Sequence, residues 1–106
     1  MEKQYDLITI IVEYGKADVI VEAAFEAGAQ GATIHPARGV GVKKAVTGDI
    51  DMGVDSDKEM ILVVTELAIT NKVYDAMVRA GKLDDWGRGF GYVQRVAKPI
   101  GFLKND

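Results

Sequence analysis

The chain has 106 residues, no cysteine, a single histidine and a formal net charge of −3. That length suits one domain, residues 1–106, and is too short for two. The composition excludes disulfides, thiol chemistry and histidine clusters. The slightly acidic balance gives no electrostatic footprint for nucleic acid or for an anionic membrane.

In chain order, the first predicted element is a strand over Tyr5 to Val12, β-branched and free of charge after Asp6. With a charged N-terminus ahead of it, this apolar run is too short for a signal peptide or a membrane span, and a cytoplasmic protein is expected. Gly15 ends the strand. Lys16 to Ala27 reads as a helix, because Ala17, Ile20, Val21, Ala24 and Ala27 form a stripe at three-to-four spacing. Gly28 stands where a left-handed cap glycine belongs. Gly31 to His35 is a second, short strand, limited by Pro36.

Arg38 to Asp57 shows no sustained period and is predicted as a long irregular loop, of the kind that is usually functional. The alternating acids Asp49, Asp51, Asp55, Asp57 and Glu59 lack the fixed glycine and final glutamate of a calcium loop and read as solvated, with a divalent-ion role as the lesser alternative. Lys58 to Glu66 is the third strand. Thr70 is the expected N-cap of a helix over Asn71 to Ala80, with Val73, Ala76, Met77 and Ala80 on one face. Gly81 is placed at its C-cap. Lys82 to Arg88 is a loop, Gly89 to Val96 the fourth strand, and the rest a short tail.

The order is strand, helix, strand, strand, helix, strand. A doubled βαβ of this kind is the ferredoxin-like α+β arrangement: a four-stranded antiparallel sheet with both helices on one face. The strands are apolar on nearly consecutive positions, which suits burial on both faces. Other copies of the chain are the simplest cover for the second face, and a domain this small gains buried area by associating.

Eight of the twelve glycines fall in two regions: Gly39, Gly41, Gly48 and Gly53, and Gly81, Gly87, Gly89 and Gly91. Glycine lets a backbone approach a ligand, and successive N–H groups can form an anion-binding nest. Arg38, Lys43 and Lys44 accompany the first region, Lys82 and Arg88 the second. Together they make a candidate phosphate cradle, with flexible turns as the alternative. Arg88-Gly89-Phe90-Gly91-Tyr92-Val93-Gln94-Arg95 approaches the RNA-binding signature of the RRM domain. It sits on the last strand, the first strand has no aromatic to stack a base, and its final position is Arg95 rather than an aromatic. No nucleic-acid partner is expected.

Three segments carry a resemblance over nearly the whole chain. Gln30-Gly31-Ala32-Thr33 resembles the Q-G-x-T of the P-II signal-transduction family. Arg38-Gly39-Val40-Gly41 resembles the K-G-x-G that opens that family's T-loop, here 38–57. The run from Gly81 to Gly89 resembles its B-loop, here 81–91. The likeness is to a divergent P-II-like branch. It implies a homotrimer binding an adenine nucleotide in clefts between subunits: ATP or ADP, with AMP and cyclic AMP as further candidates. It implies a signalling role without catalysis, directed through the T-loop at a membrane transporter or metabolic enzyme, with no insertion into the membrane. Carried over, Gly39, Gly41, Gly87 and Gly89 meet phosphates, Arg38 or Arg88 supplies charge, and Thr33 and Val64 lie near the base; Val40 falls within the first motif. Where the family has Arg-Gln after K-G-x-G, this chain has Val42-Lys43. A charged lysine cannot ligate a metal, so Mg2+ and 2-oxoglutarate stay open. The C-terminal Arg-x-Arg of the family is absent, with Lys98 or Lys104 as substitutes. The alternative is another ferredoxin-like oligomer, a CutA-like metal-tolerance protein or a dimeric α+β barrel enzyme.

Overall fold

The structure is a computed structural model that describes residues 3–44 and 50–101, with side chains described for 3–40 and 56–101. The elements are β1 (Tyr5–Glu13), α1 (Ala17–Glu26), β2 (Thr33–Lys44), β3 (Ile50–Glu66), α2 (Thr70–Gly81) and β4 (Gly89–Arg95), with a 3-10 turn at Leu67–Ile69 before α2. The sheet order is β2-β3-β1-β4 and every neighbouring pair is antiparallel. This is the expected ferredoxin-like double βαβ.

The pleat sorts β1 into two faces. Ile8, Ile10 and Val12, with Ile61 and Val63 of β3, are sealed beneath Ala17, Ile20 and Ala24 of α1 and Val73 and Met77 of α2. Each fully buried aliphatic side chain contributes about 1.5–3 kcal/mol. The opposite face carries Leu7 beside Val64, Thr9 beside Leu62 and Ile11 beside Met60, with Phe90 and Tyr92 from β4. No described element covers it, and Phe90 stays 57% exposed.

Helix ends follow local chemistry. Gly28, at φ +117, closes α1 with a Schellman pair: its own N–H bonds the Phe25 carbonyl and that of Ala29 bonds the Ala24 carbonyl, both at 3.0 Å. The α1 N-terminus is capped from a distance, since Glu59 Oε1 on β3 accepts from the N–H of Gly15 (2.7 Å) and Ala17 (3.1 Å).

Four sequence expectations change. Thr70 is the first residue of α2, not its N-cap. Its hydroxyl is drawn into a buried bond with Asp6, so the chain enters the helix through the 3-10 turn. Gly81 remains helical and Lys82 takes the left-handed position at φ +53. Gly81 is small for another reason: a Cβ there would lie 2.8 Å from Ile20 Cδ1, where the two helices meet. Pro36 does not stop β2, because β2 is an outer strand, where half of the N–H groups point away from the ladder. Finally, 38–57 is largely a paired ribbon. β2 and β3 pair from Thr33↔Leu62 to Lys44↔Ile50, with one register shift between Gly41 and Lys43. Residues 45–49, including Gly48 and Asp49, lie outside the described residues, as does Lys104. The alternating acids mark a strand: Asp51 is in register with Lys43 and Asp57 with Arg38, and for the Arg38–Asp57 pair opposite charges across the ladder are favourable.

Candidate functional site

Two segments with candidate binding groups flank one end of the sheet. The first is the base of the β2–β3 ribbon. Gly39 is opposite Ser56, Arg38 opposite Asp57, and the Asp57 carbonyl accepts from the Tyr14 N–H at 3.1 Å. The Lys58 stem lies across Gly39, where a Cβ would come within 2.7 Å of Lys58 Cε. Its amino group reaches the other way and donates to Glu13 Oε1 at 2.5 Å. That bond from Lys58 holds the Glu13 carboxyl below its ordinary value, slight desolvation opposing, with the Lys58 charge and the Ser56 hydroxyl assisting.

The second segment is the turn between α2 and β4. Arg88 N–H bonds the Asp85 carbonyl at 3.4 Å and Gly87 has φ +86. A positive φ at the third residue of a four-residue turn is the type II pattern, which glycine accepts freely. A side chain at Gly87 would meet nothing within 4 Å, so its backbone is open to a ligand. Gly89 differs: at φ +142 a Cβ there would lie within 2.4 Å of the Ile11 carbonyl oxygen. Gly89 therefore seats the start of β4 against β1 whatever else it touches. Trp86, between Asp85 and Gly87, is fully exposed in the single chain.

Gly89 pairs with Val12 on β1, one row from Glu13. The two segments thus share an end of the sheet but lie on opposite outer strands. With β3 and β1 between, they stand about 14 Å apart. Thr33 and Val64 lie elsewhere, in a cleft of about 720 Å³ with Leu7, Gln30, Leu62 and Glu66. Gly89 borders a second cleft of about 580 Å³, between α2 and β4, with Tyr74, Arg79 and Phe90. Val40 is exposed on β2 and Gly41 continues that strand. One chain therefore brings Thr33 together with Val64, and Arg38 with Gly39 and Val40, and Gly87 with Arg88 and Gly89, without uniting the three groups.

The far end of the sheet carries a buried polar row. Asp6 stands between Thr65 and Arg95 in register. Arg95 Nε donates to Asp6 Oδ1 at 2.8 Å, the Thr70 hydroxyl donates to Oδ2 at 2.7 Å, and Thr65 completes the chain by donating to Thr70. Burial pushes the Asp6 carboxyl up, but the bonds from Thr70 and Arg95 and the Arg95 charge outweigh it, and the net shift is downward. His35 is exposed, and its Nδ1–H donates to the Pro36 carbonyl at 2.6 Å. Among the described residues no group of three or more His, Asp or Glu side chains could hold a metal ion.

Sequence reasoning did not single out Glu13 or Lys58, and took Glu59 only as the last of the alternating acids. Their signal is the strand register, which places Glu13 opposite Lys58.

Fold and site together define a small ferredoxin-like α+β protein whose candidate binding segments sit on its outer strands. Residues 5–98 match the family model of the nitrogen regulatory protein P-II, and the chain belongs to that family. It is similar in fold to two solved structures. One is B. subtilis GlnK, with a TM-score of 0.73 and 17% identity, covering 89% of this chain and 86% of that one. The other is the B. subtilis GlnK–ATP complex, with a TM-score of 0.70 and 15% identity, covering 88% and 82%. No curated protein matches the chain. The CutA-like and α+β barrel alternatives give way to the family match.

Proposed function

We propose that this protein is a nucleotide-responsive regulator, not an enzyme. It would assemble as a homotrimer and bind an adenine nucleotide between subunits, ATP or ADP, with AMP and cyclic AMP as further candidates. Its β2–β3 ribbon, the T-loop-like 38–57, would report that binding to a membrane transporter or metabolic enzyme in the cytoplasm.

One observation carries this reading. The ribbon base and the B-loop-like turn 81–91 occupy the same end of the sheet on opposite outer strands. A ligand touching both needs the β2 side of one copy beside the β4 side of the next. The uncovered apolar face supplies a reason for copies to associate. The similar GlnK is known as an ATP complex, and no described helix is long and apolar enough to cross a membrane. In the assembled cleft, Gly87 would offer backbone N–H groups, Arg38 and Arg88 charge, and Thr33 and Val64 a wall for the base. Bound nucleotide would shift the ribbon between arrangements by no more than its differential affinity for them.

Calorimetric titration with each nucleotide, with and without Mg2+ and 2-oxoglutarate, tests the proposal. One saturable site per chain is expected. Trp86 is the single tryptophan and fully exposed, so its emission should shift to the blue when the cleft closes over the turn. Arg88→Ala, on an exposed side chain, should weaken binding by about tenfold or more. Wild-type affinity in that variant sinks the site. Gly89→Val is a poor probe, because it also displaces β4.

A further inference from the structure

We propose that Glu59 is a clamp joining the root of the β2–β3 ribbon to the start of α1, so that the ribbon bends beyond the Gly39–Ser56 rung and not where it leaves the sheet. This rests on the regulator reading above only in taking the ribbon as the part that moves.

The first amides of a helix have no partner within it and need an acceptor. Lys16, at the N-cap position of α1, supplies none from its side chain. The acceptor comes instead from the ribbon arm. Glu59 Oε1 takes the Gly15 N–H at 2.7 Å and the Ala17 N–H at 3.1 Å, and its charge meets the positive end of the helix dipole. Neighbouring residues of a strand point to opposite faces, and the ribbon root uses both. On the open face Lys58 donates to Glu13. At the edge of β3 the Asp57 carbonyl accepts from the Tyr14 N–H at 3.1 Å. Three consecutive residues of β3 thus grip the whole β1–α1 turn. The Glu13–Lys58 pair is exposed enough to exchange with water, whereas Glu59 holds two backbone amides at once.

Outward the grip ends. The β1–β3 ladder stops at Glu13↔Lys58, and from Gly39↔Ser56 onward β2 and β3 pair only with each other. The Asp57 carbonyl faces β1, so the ladder bonds to β2 alternate around it and fall at Gly39↔Ser56 and Gly41↔Val54. Just past Gly41 the register shifts by one residue before Lys43↔Asp51. Such a shift is a bulge, where a ribbon bends and its ladder is locally broken. Turning the ribbon at its root must pull Glu59 from the start of α1; bending it at the shift leaves the helix untouched.

Amide hydrogen exchange on the full-length protein, followed by NMR without any nucleotide, tests this. In wild type the Tyr14, Gly15, Ala17, Gly39 and Ser56 amides should exchange at least about tenfold more slowly than those of Gly41 and Val54. Glu59→Ala should speed Gly15 and Ala17 by about tenfold. It should also speed Tyr14, Gly39 and Ser56 by a similar factor, because the bending point moves inward to the sheet. Adding Lys16→Ser to Glu59→Ala gives α1 a cap of its own and guards against a variant that merely unfolds. The α1 amides should recover protection in that double variant while Gly39 and Ser56 stay fast. If Glu59→Ala speeds only Gly15 and Ala17, Glu59 is a helix cap and no clamp. Equal exchange of the Gly39–Ser56 and Gly41–Val54 rungs in wild type would remove the boundary itself. With no nucleotide present, these rates decide the clamp whether or not the chain binds one.

Discussion

The two ends of the sheet are tied by the same chemistry in different surroundings. At one end Arg95 binds Asp6, whose side chain is 6% exposed; at the other Lys58 binds Glu13, whose side chain is 46% exposed. Asp6 faces the helices and holds three elements at once: β4 through Arg95, α2 through Thr70, and by way of Thr70 the Thr65 hydroxyl of β3. Glu13 faces the open side and holds one cation across a strand pair. Burial, not the presence of a pair, separates a structural tie from a replaceable one. A buried carboxylate has no water to fall back on, so losing it strands its donors. An exposed one exchanges its partner for solvent at little cost.

The largest test of that contrast is Asp6→Ala. It leaves the Thr70 hydroxyl without its carboxylate acceptor beneath α2, with only the longer bond to the Glu66 carbonyl at 3.2 Å in its place. Arg95 is half exposed and recovers water, so the cost is discounted from that of a fully buried pair, to about 2–3 kcal/mol. For a chain of this length that is a drop of about 10 °C or more in thermal midpoint. A drop as small as that of a surface variant would show that the polar row is dispensable.

Acid provides the next test. The folded Asp6 carboxyl titrates below its unfolded value, so its contribution is complete above about pH 4 and is lost as pH falls through the folded value. Glu13 shifts in the same direction. Wild type should therefore lose stability as pH falls below about 4, and Asp6→Asn should show a shallower acid limb because only the Glu13 share remains. Parallel acid limbs, measured by thermal melts across pH, would remove Asp6 as the source.

What the sequence revealed follows the same division between buried and open regions. The helices and central strands were legible because Ile8, Ile10, Ile20, Ile61, Val73 and Met77 all point into one core, and a core imposes a period. Beyond Gly39 the ribbon's sequence carries no sustained apolar period. Its period survives only in charge, as Asp51, Asp55 and Asp57, and reads as a solvated loop. Thr70 was misread because a threonine before a helix resembles a cap until Asp6, 64 residues away, competes for its hydroxyl. The glycines named the site regions but not their separate reasons. Gly39 lies under Lys58, Gly89 lies against the Ile11 carbonyl, and Gly87 is open. Those differences depend on register between distant strands, which no local pattern carries.

The smallest expected effect is the most discriminating. Glu13→Gln keeps the shape of the side chain and removes its charge, leaving the Lys58 amino group to water. Lys58 is about one-quarter exposed, so water can replace the lost acceptor. The thermal midpoint should fall by only a small fraction of the Asp6→Ala drop, and the difference from wild type should close further in about 0.5 M salt, which screens exposed pairs. The Asp6→Ala difference should persist in the same salt, because most of it is unmet hydrogen bonding rather than screened Coulomb attraction. If Glu13→Gln instead destabilises the fold as much as Asp6→Ala, in low and high salt alike, then the ribbon end is as firmly fixed as the helix end. A ribbon fixed in that way would be a poor candidate for the moving part of a regulator, and the signalling role would have to be sought in the 82–88 turn instead.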